Sequence, residues 1–177
     1  MKPGYAGRKE PIPEFRQKTD KHGNPIYPKK DERGEHLIVD GYNIIFQWPE
    51  LRSLAEADIS AARGKLLDLL SNYQGFLGYP VTVVFDAYRT KRNPASVNRW
   101  LNLSVVYTKE NETADAYIER MVHEESGKYR FSVATSDGME QLTILRLGAL
   151  RVSSRMLRED MERISGEHGM SSDIMKI

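Results

Sequence analysis

Apolar and polar residues along this chain follow two rhythms, and the rhythm switches at regular intervals. Leu37-Ile38-Val39 is a short, β-branched apolar run closed by Asp40. It is too short for a helix of its own and reads as a buried strand. Residues 81–86 repeat the pattern, Val-Thr-Val-Val-Phe and again an aspartate, Asp86. The stretches 103–108 and 130–135 predict a third and a fourth strand, and 149–152 a short fifth. Between these runs the period lengthens. Over 58–77, Ile59, Ala62, Leu66, Leu69, Leu70, Tyr73 and Phe76 fall on one helical face, and Gly78 supplies a stop. Helices are also predicted over 112–125, over 139–147, and over 154–164 with Ser154 as the cap. Residues 47–51 read as a turn. Residues 87–102, with Arg89, Lys91, Arg92 and Arg99 and no acidic residue, read as a basic loop.

Strands that alternate with helices predict an α/β fold of three layers, α/β/α. Its sheet should be mainly parallel and roughly five-stranded, with right-handed crossovers. Residues 1–35 break the rhythm. They hold five of the eight prolines and show neither period, so they predict a flexible N-terminal extension or linker. The folded domain is expected over 36–166, followed by a frayed tail over 167–177. A length of 177 residues suits one such domain with an appendage.

Composition narrows the chemistry. The chain has no cysteine, which excludes disulfides, thiol nucleophiles and cysteine-based zinc sites, and fits a reducing cytoplasm. His22, His36, His123 and His168 show no ligand spacing and read as surface residues. Any metal would therefore be held by oxygen ligands, which points to a hard cation. No apolar run approaches the roughly 18 residues of a membrane span. The first residues lack the apolar segment of a secretory signal. The net charge of +1 divides unevenly: nine Lys/Arg against six Asp/Glu over 1–35 give +3, and 17 against 19 over the rest give −2. Bulk charge thus gives no nucleic-acid signal, and any such reading rests on local patches.

In a parallel sheet all strand C-termini open on one edge, where α/β proteins bind ligands. Asp40 and Asp137 follow the first and fourth strands and reach that edge. Glu112 and Asp115 are three apart at a helix start, on one face. Singly, each has a bland reading as a helix cap or a favourable N-terminal charge. Together they would repel unless a divalent cation sat among them, and such a cation can activate water for attack at phosphorus. Asn43 is placed to orient a substrate phosphate or a water. Asp86 reads as a further ligand or as a supporting group. Arg89, Lys91, Arg92 and Arg99, with Tyr88 and Trp100 nearby and Lys109 before the 112–125 helix, suit a phosphodiester backbone and unstacked bases. No glycine-rich phosphate loop and no GxSxG elbow is present.

The blocks Val39-Asp40-Gly41-Tyr42-Asn43, Val83-Val84-Phe85-Asp86-Ala87, Thr108 to Asp115 and Ala134-Thr135-Ser136-Asp137 resemble, in order, those of the YacP-like NYN family of PIN-like nucleases. The segments 148–151 and 154–159 are similar to its closing part, so the resemblance covers about 36–164. It implies a PIN-like sheet with one acidic pocket, Mg²⁺ or Mn²⁺, and cleavage of single-stranded RNA. It also implies association with the ribosome and mRNA as the substrate. Carried over position by position, the site would be Asp40, Asn43, Glu112, Asp115 and Asp137, with Asp86 matching a family block. Two departures stand out: the loop after Asp86 differs in composition, and a long basic C-terminal tail is replaced by an N-terminal extension. Domains of this family also stand at the C-terminal end of translation-factor-like GTPases, which a linker-like beginning would suit.

Two functions are thus expected in competition. One is a metal-dependent endoribonuclease, with Asp40, Asp115 and Asp137 as ligands and Glu112 in support. The other is a non-catalytic RNA- or ribosome-binding module. A phosphatase is disfavoured, because the position two after Asp40, which would need a general-acid aspartate, is Tyr42.

Overall fold

A computed structural model describes residues 19–24, 30–87, 96–136 and 144–167. The chain divides into two compact units, Met1–Glu32 and Arg33–Ile177. In the first, the Asp20 carboxylate closes a turn by accepting from the backbone N–H groups of His22 at 2.8 Å and Asn24 at 2.9 Å.

The second unit is built on six strands: β1 (Gly34–Asp40), β2 (Val81–Phe85), β3 (Ser96–Trp100), β4 (Leu103–Tyr107), β5 (Tyr129–Ala134) and β6 (Leu150–Val152). Their order is β3-β4-β2-β1-β5-β6, parallel except for β3, which runs antiparallel to β4 at one edge. The five expected strands are all present. The sixth, β3, lies inside what the sequence predicts as a basic loop. It lacks the apolar signature because an edge strand buries little: its residues are exposed or half-exposed, with Val97 at 71%.

Five helices are described over their whole length: α1 (Gly41–Gln47), α2 (Pro49–Ala57), α3 (Ile59–Leu77), α4 (Ala114–Glu125) and α5 (Ser154–Glu167). Residues 144–146 are helical as well, and 139–143 of the helix expected over 139–147 lie outside the described residues. Alternation within the strands feeds two cores. Leu37, Val39, Val83, Phe85 and Val105 pack with α1, α2, α3 and α5. Ile38, Val84, Val106 and Val133 pack with Ile118 and Val122 of α4 on the other face, together with Ile144 and Ala149. Three layers result, as the period of two predicts. No helix among the described residues is long and apolar enough to cross a membrane.

Three local expectations are corrected. The turn predicted at 47–51 is a single residue: Trp48 ends α1 and caps α2, and Pro49 opens α2 at a position where its missing N–H costs nothing. Trp48 also donates from its indole to the Ser154 carbonyl at 3.1 Å, beneath the Arg158 guanidinium, which forks to both Glu50 oxygens at 2.7 and 2.6 Å. This cluster ties α5 to the α1–α2 junction. The cap of α5 is Ser153 rather than Ser154, since its hydroxyl accepts from Met156 N at 3.1 Å. His36, expected at the surface, is 6% exposed in β1. Its Nε2 meets Thr82 Oγ1 at 2.9 Å and its ring packs against Tyr129 and Phe131. Burial, with the Lys128 charge adding to it, holds the imidazole down to about 4.

Candidate active site

Asp40 is the last residue of β1 and the N-cap of α1 at once. Its carboxylate accepts from Asn43 N at 3.4 Å, and only 7% of the residue is exposed. The strand therefore turns into a helix with no intervening loop, and the first turn of that helix holds the carboxylate. Gly41 permits this junction: a Cβ there would lie 2.3 Å from the Phe85 ring at the end of β2. The next residue, Tyr42, packs its ring on the same Phe85 at a centroid distance of 5.0 Å.

Asn43 does something its position in the sequence cannot reveal. Its Oδ1 accepts from the backbone N–H of Ser136 at 2.8 Å, joining the start of α1 to the chain leaving β5. Ser136 immediately precedes Asp137, which lies outside the described residues, as do Tyr88, Arg89, Lys91 and Arg92.

Asp86, half-buried, follows β2, which pairs with β1 so that Val84 stands beside Asp40. The two aspartates thus occupy adjacent strand ends. The next strand end braces this one. Buried Thr108 donates its N–H to the Phe85 carbonyl at 3.0 Å, and its hydroxyl accepts from Ala87 N at 3.0 Å. Thr108 reads in the sequence as the end of a strand and the start of the block that runs to Asp115. Nothing local marks it as the residue that clamps both sides of Asp86.

The chain from Thr108 leads into α4, whose N-cap is Thr113, with its hydroxyl accepting from Ala116 N at 3.1 Å. Asp115 stands half-buried in the first turn, where the helix N-terminus favours negative charge. Glu112 is engaged elsewhere: its Oε1 pairs with Arg120 Nη2 at 2.6 Å, and the same guanidinium lies over the Tyr117 ring at 4.9 Å. The hydrogen bond from this carboxylate raises the Arg120 guanidinium further above its usual range. Lys109 is exposed just before this helix. Arg99 and Trp100 are not brought to this edge: on the antiparallel β3 they pair with Ser104 and Leu103 at the start of β4. There Arg99 lines a hollow with Gly78 and Pro80 and donates from Nε to the Leu101 carbonyl at 3.2 Å, while Trp100 donates to Asp68 at 3.2 Å.

The donor set along this edge is all oxygen, which suits a hard divalent cation. Asp40 fits such a role best: it is buried, fixed and at the strand end. Among the described residues, however, no three acidic or histidine side chains stand close enough to share one cation. Asp40 and Asp86 are brought to neighbouring strand ends, Asp115 and Glu112 to the start of α4.

A family model described as the YacP-like NYN domain matches residues 37–176, running through the segment expected as a tail. The curated protein YacP of Bacillus subtilis (strain 168) is 40% identical over 129 residues, which is 72% of this chain and 75% of that protein. The crystal structure of Rae1 (YacP) from Bacillus subtilis matches with a TM-score of 0.64 at 38% identity, over 76% of this chain and 78% of that one. The structure of a point mutant of the same protein gives the same TM-score over 75% and 77%.

Proposed function

The chain belongs to the YacP-like NYN domain family, a PIN-like nuclease family, and from that premise we propose that it is a divalent-metal-dependent endoribonuclease. Its substrate is single-stranded RNA, read as mRNA engaged with the ribosome in the cytoplasm. The observation that carries this reading is the pair of neighbouring strand ends, β1 ending on the buried Asp40 and β2 leading into Asp86, with Asn43 gripping the chain one residue before Asp137.

In this reading Asp40, Asp115 and Asp137 hold Mg²⁺ or Mn²⁺, and Glu112 supports them. Such a cation, when bound, supplies charge stabilisation at the phosphodiester and makes water a better nucleophile near neutral pH. The chain's own residues do the positioning. The α1 N-terminus fixes the Asp40 carboxylate, the Thr108 clamp fixes the backbone around Asp86, and Asn43 sets the exit of β5. Lys109 stands exposed after the end of β4, and in this reading it offers positive charge to the RNA backbone together with Arg89, Lys91 and Arg92, which follow β2 in the chain.

The test is cleavage of a labelled single-stranded oligoribonucleotide by the full chain with Mg²⁺ or Mn²⁺, against EDTA and against Asp40→Asn. Metal-dependent cutting by the wild type alone supports the reading. Equal cutting by Asp40→Asn sinks it. Mapping cleavage on translating against naked mRNA then decides whether the ribosome is needed.

One observation favours a second reading, a non-catalytic RNA- or ribosome-binding module. Glu112 is already ion-paired with Arg120, and no three-carboxylate group gathers among the described residues. A module of that kind would show no rise in melting temperature on titration with Mn²⁺ or Mg²⁺, whereas the nuclease gains stability by mass action.

A further inference from the structure

Arg63 stands one turn into α3, and the fold brings that end of the helix to the aspartate-bearing edge. The 19 residues of α3 extend about 28 Å. The helix ends at Gly78, just before β2 begins at Val81, so its other end returns to the side where the parallel strands finish.

The guanidinium of Arg63 has an unusual set of partners for an arginine near carboxylates. Nη1 donates to the Tyr42 hydroxyl at 3.0 Å and Nη2 to the Ser60 hydroxyl at 2.7 Å. Both acceptors are neutral, and among the described residues no carboxylate pairs with it. Arg120, Arg130, Arg155, Arg158 and Arg163 each take a carboxylate instead. Arg63 is also half-buried rather than waving in solvent.

The cradle is rigid. Tyr42 is buried, stands two residues after Asp40 in α1, and packs on Phe85, the residue before Asp86. The hydroxyl that orients Arg63 is therefore anchored to both strand ends. A guanidinium carries five N–H donors in a planar fork, and here two are spent. The remaining donors and the whole positive charge stay available for an anion from outside, and the fork geometry matches phosphate.

We infer that Arg63 is a binding residue for a backbone phosphate of RNA flanking the scissile linkage, on the α3 side of the edge. The inference rests on the nuclease reading above. It adds a phosphate contact on a helix that precedes β2, separate in the chain from the basic residues that follow that strand. Sequence alone hides it, because Arg63 falls between the apolar positions Ala62 and Leu66 on what reads as the solvated face of an ordinary helix.

The test uses the full chain and a fluorescein-labelled single-stranded oligoribonucleotide. Arg63→Gln removes the charge yet keeps a donor for Tyr42, and Arg63→Lys keeps the charge without the fork. Binding is titrated with Ca²⁺ at several salt concentrations, and cleavage is followed separately with Mg²⁺ or Mn²⁺. Arg63→Gln should weaken binding about tenfold and raise KM to match, with kcat within about twofold. Its salt slope, log affinity against log salt, should flatten by about 0.7, the loss of one phosphate contact on a single strand. Arg63→Lys should recover part of the affinity and the full salt slope.

Unchanged affinity and slope in Arg63→Gln, with wild-type cleavage intact, would overturn the inference. A merely structural role would lower the melting temperature without flattening the slope, and that too overturns it. If Arg63→Gln fails to fold, Arg63→Lys and Tyr42→Phe decide: unchanged affinity in both overturns the proposal. Should the wild type bind RNA but cut none, the nuclease reading falls, while the salt slope still judges Arg63 as a phosphate contact.

Discussion

The central strand β1 carries a buried ionisable group at each end, His36 and Asp40, and the two are buried for opposite reasons. His36 is sunk among Tyr129, Phe131 and Thr82, where burial and the Lys128 charge keep it neutral. Asp40 sits where the strand runs into α1, with a backbone N–H turned towards its carboxylate. One end of the strand suppresses charge and the other receives it. Burial alone therefore does not mark a functional group; the donors and acceptors supplied to its charged form do.

Four experiments bear on that contrast. The largest effect is expected at Asp40. Replacing groups that merely orient a metal ligand costs about 10–100-fold, so removing a ligand should cost more than about a hundredfold in kcat/KM. Asn is as good an N-cap as Asp, so Asp40→Asn should keep α1 and leave the melting temperature within a few degrees. Activity lost together with the fold would instead make Asp40 a structural residue, the same in kind as His36.

The next effect belongs to His36 and appears in stability, not turnover. Its folded pKa, about 4, lies below the ordinary value of 6.5, so the unfolded chain takes up the proton first as pH falls. Stability from this group is complete above about pH 6.5 and is lost as pH drops through 6.5 towards 4, by up to ~3 kcal/mol. Below that window Glu50, held to about 2 chiefly by the Arg158 fork, adds a further loss as pH falls from 4.5 towards 2. Urea midpoints from pH 8 to pH 4 measure this directly. In His36→Gln the slope between 6.5 and 4.5 should largely vanish while cleavage at neutral pH stays within a few-fold. A large loss of cleavage in that variant would break the division between the two ends of β1.

Asn43 comes third. Asn43→Ala removes the acceptor for Ser136 N and should lower kcat about 10–100-fold, as loss of an orienting partner does. The cost in stability should be about 1 kcal/mol. Asn43→Asp, which keeps an acceptor at the same place, should recover much of the activity. Failure of that rescue would mean that the amide N–H₂, not the grip on Ser136, is what the site uses.

The legibility of these features in the sequence differs for physical reasons. Asp40 and Asp86 can be placed because short continuous β-branched apolar runs declare buried strands, and a parallel sheet collects their ends. The edge strand β3 cannot, since a strand that buries nothing needs no apolar pattern. The Asn43–Ser136 bond joins residues 93 apart in the chain, and the Thr108 clamp joins residues 21 apart. No local rule encodes either. His36 is invisible as a buried residue because a single polar residue at the start of an apolar run is as consistent with the strand's solvated end as with its core. The Glu112–Arg120 pair spans two turns, beyond the helical spacings that sequence reasoning consults.

That pair sets the smallest expected effect and the sharpest remaining contrast with Asp40. Glu112 reaches this edge as a side chain held by another side chain, with 19% of it exposed and 47% of Arg120 exposed. A pair of this kind is worth roughly 0–1 kcal/mol and weakens with salt. If Glu112 stays with Arg120 in the working enzyme, Glu112→Gln should change kcat/KM less than about threefold and move the melting temperature little. If instead the cation draws Glu112 away, Arg120 is its competitor. Arg120→Ala should then tighten Mn²⁺ binding in a thermal-shift titration, while Glu112→Gln weakens it towards the level of Asp40→Asn. The first case leaves Mn²⁺ binding by Arg120→Ala unchanged, so one titration of that variant tells whether the carboxylates at this edge act as one set or as two. Asp40 and Glu112 start from different states. The Asp40 carboxylate is set in place by the turn from β1 into α1 before any cation arrives, whereas Glu112 must first give up an ion pair.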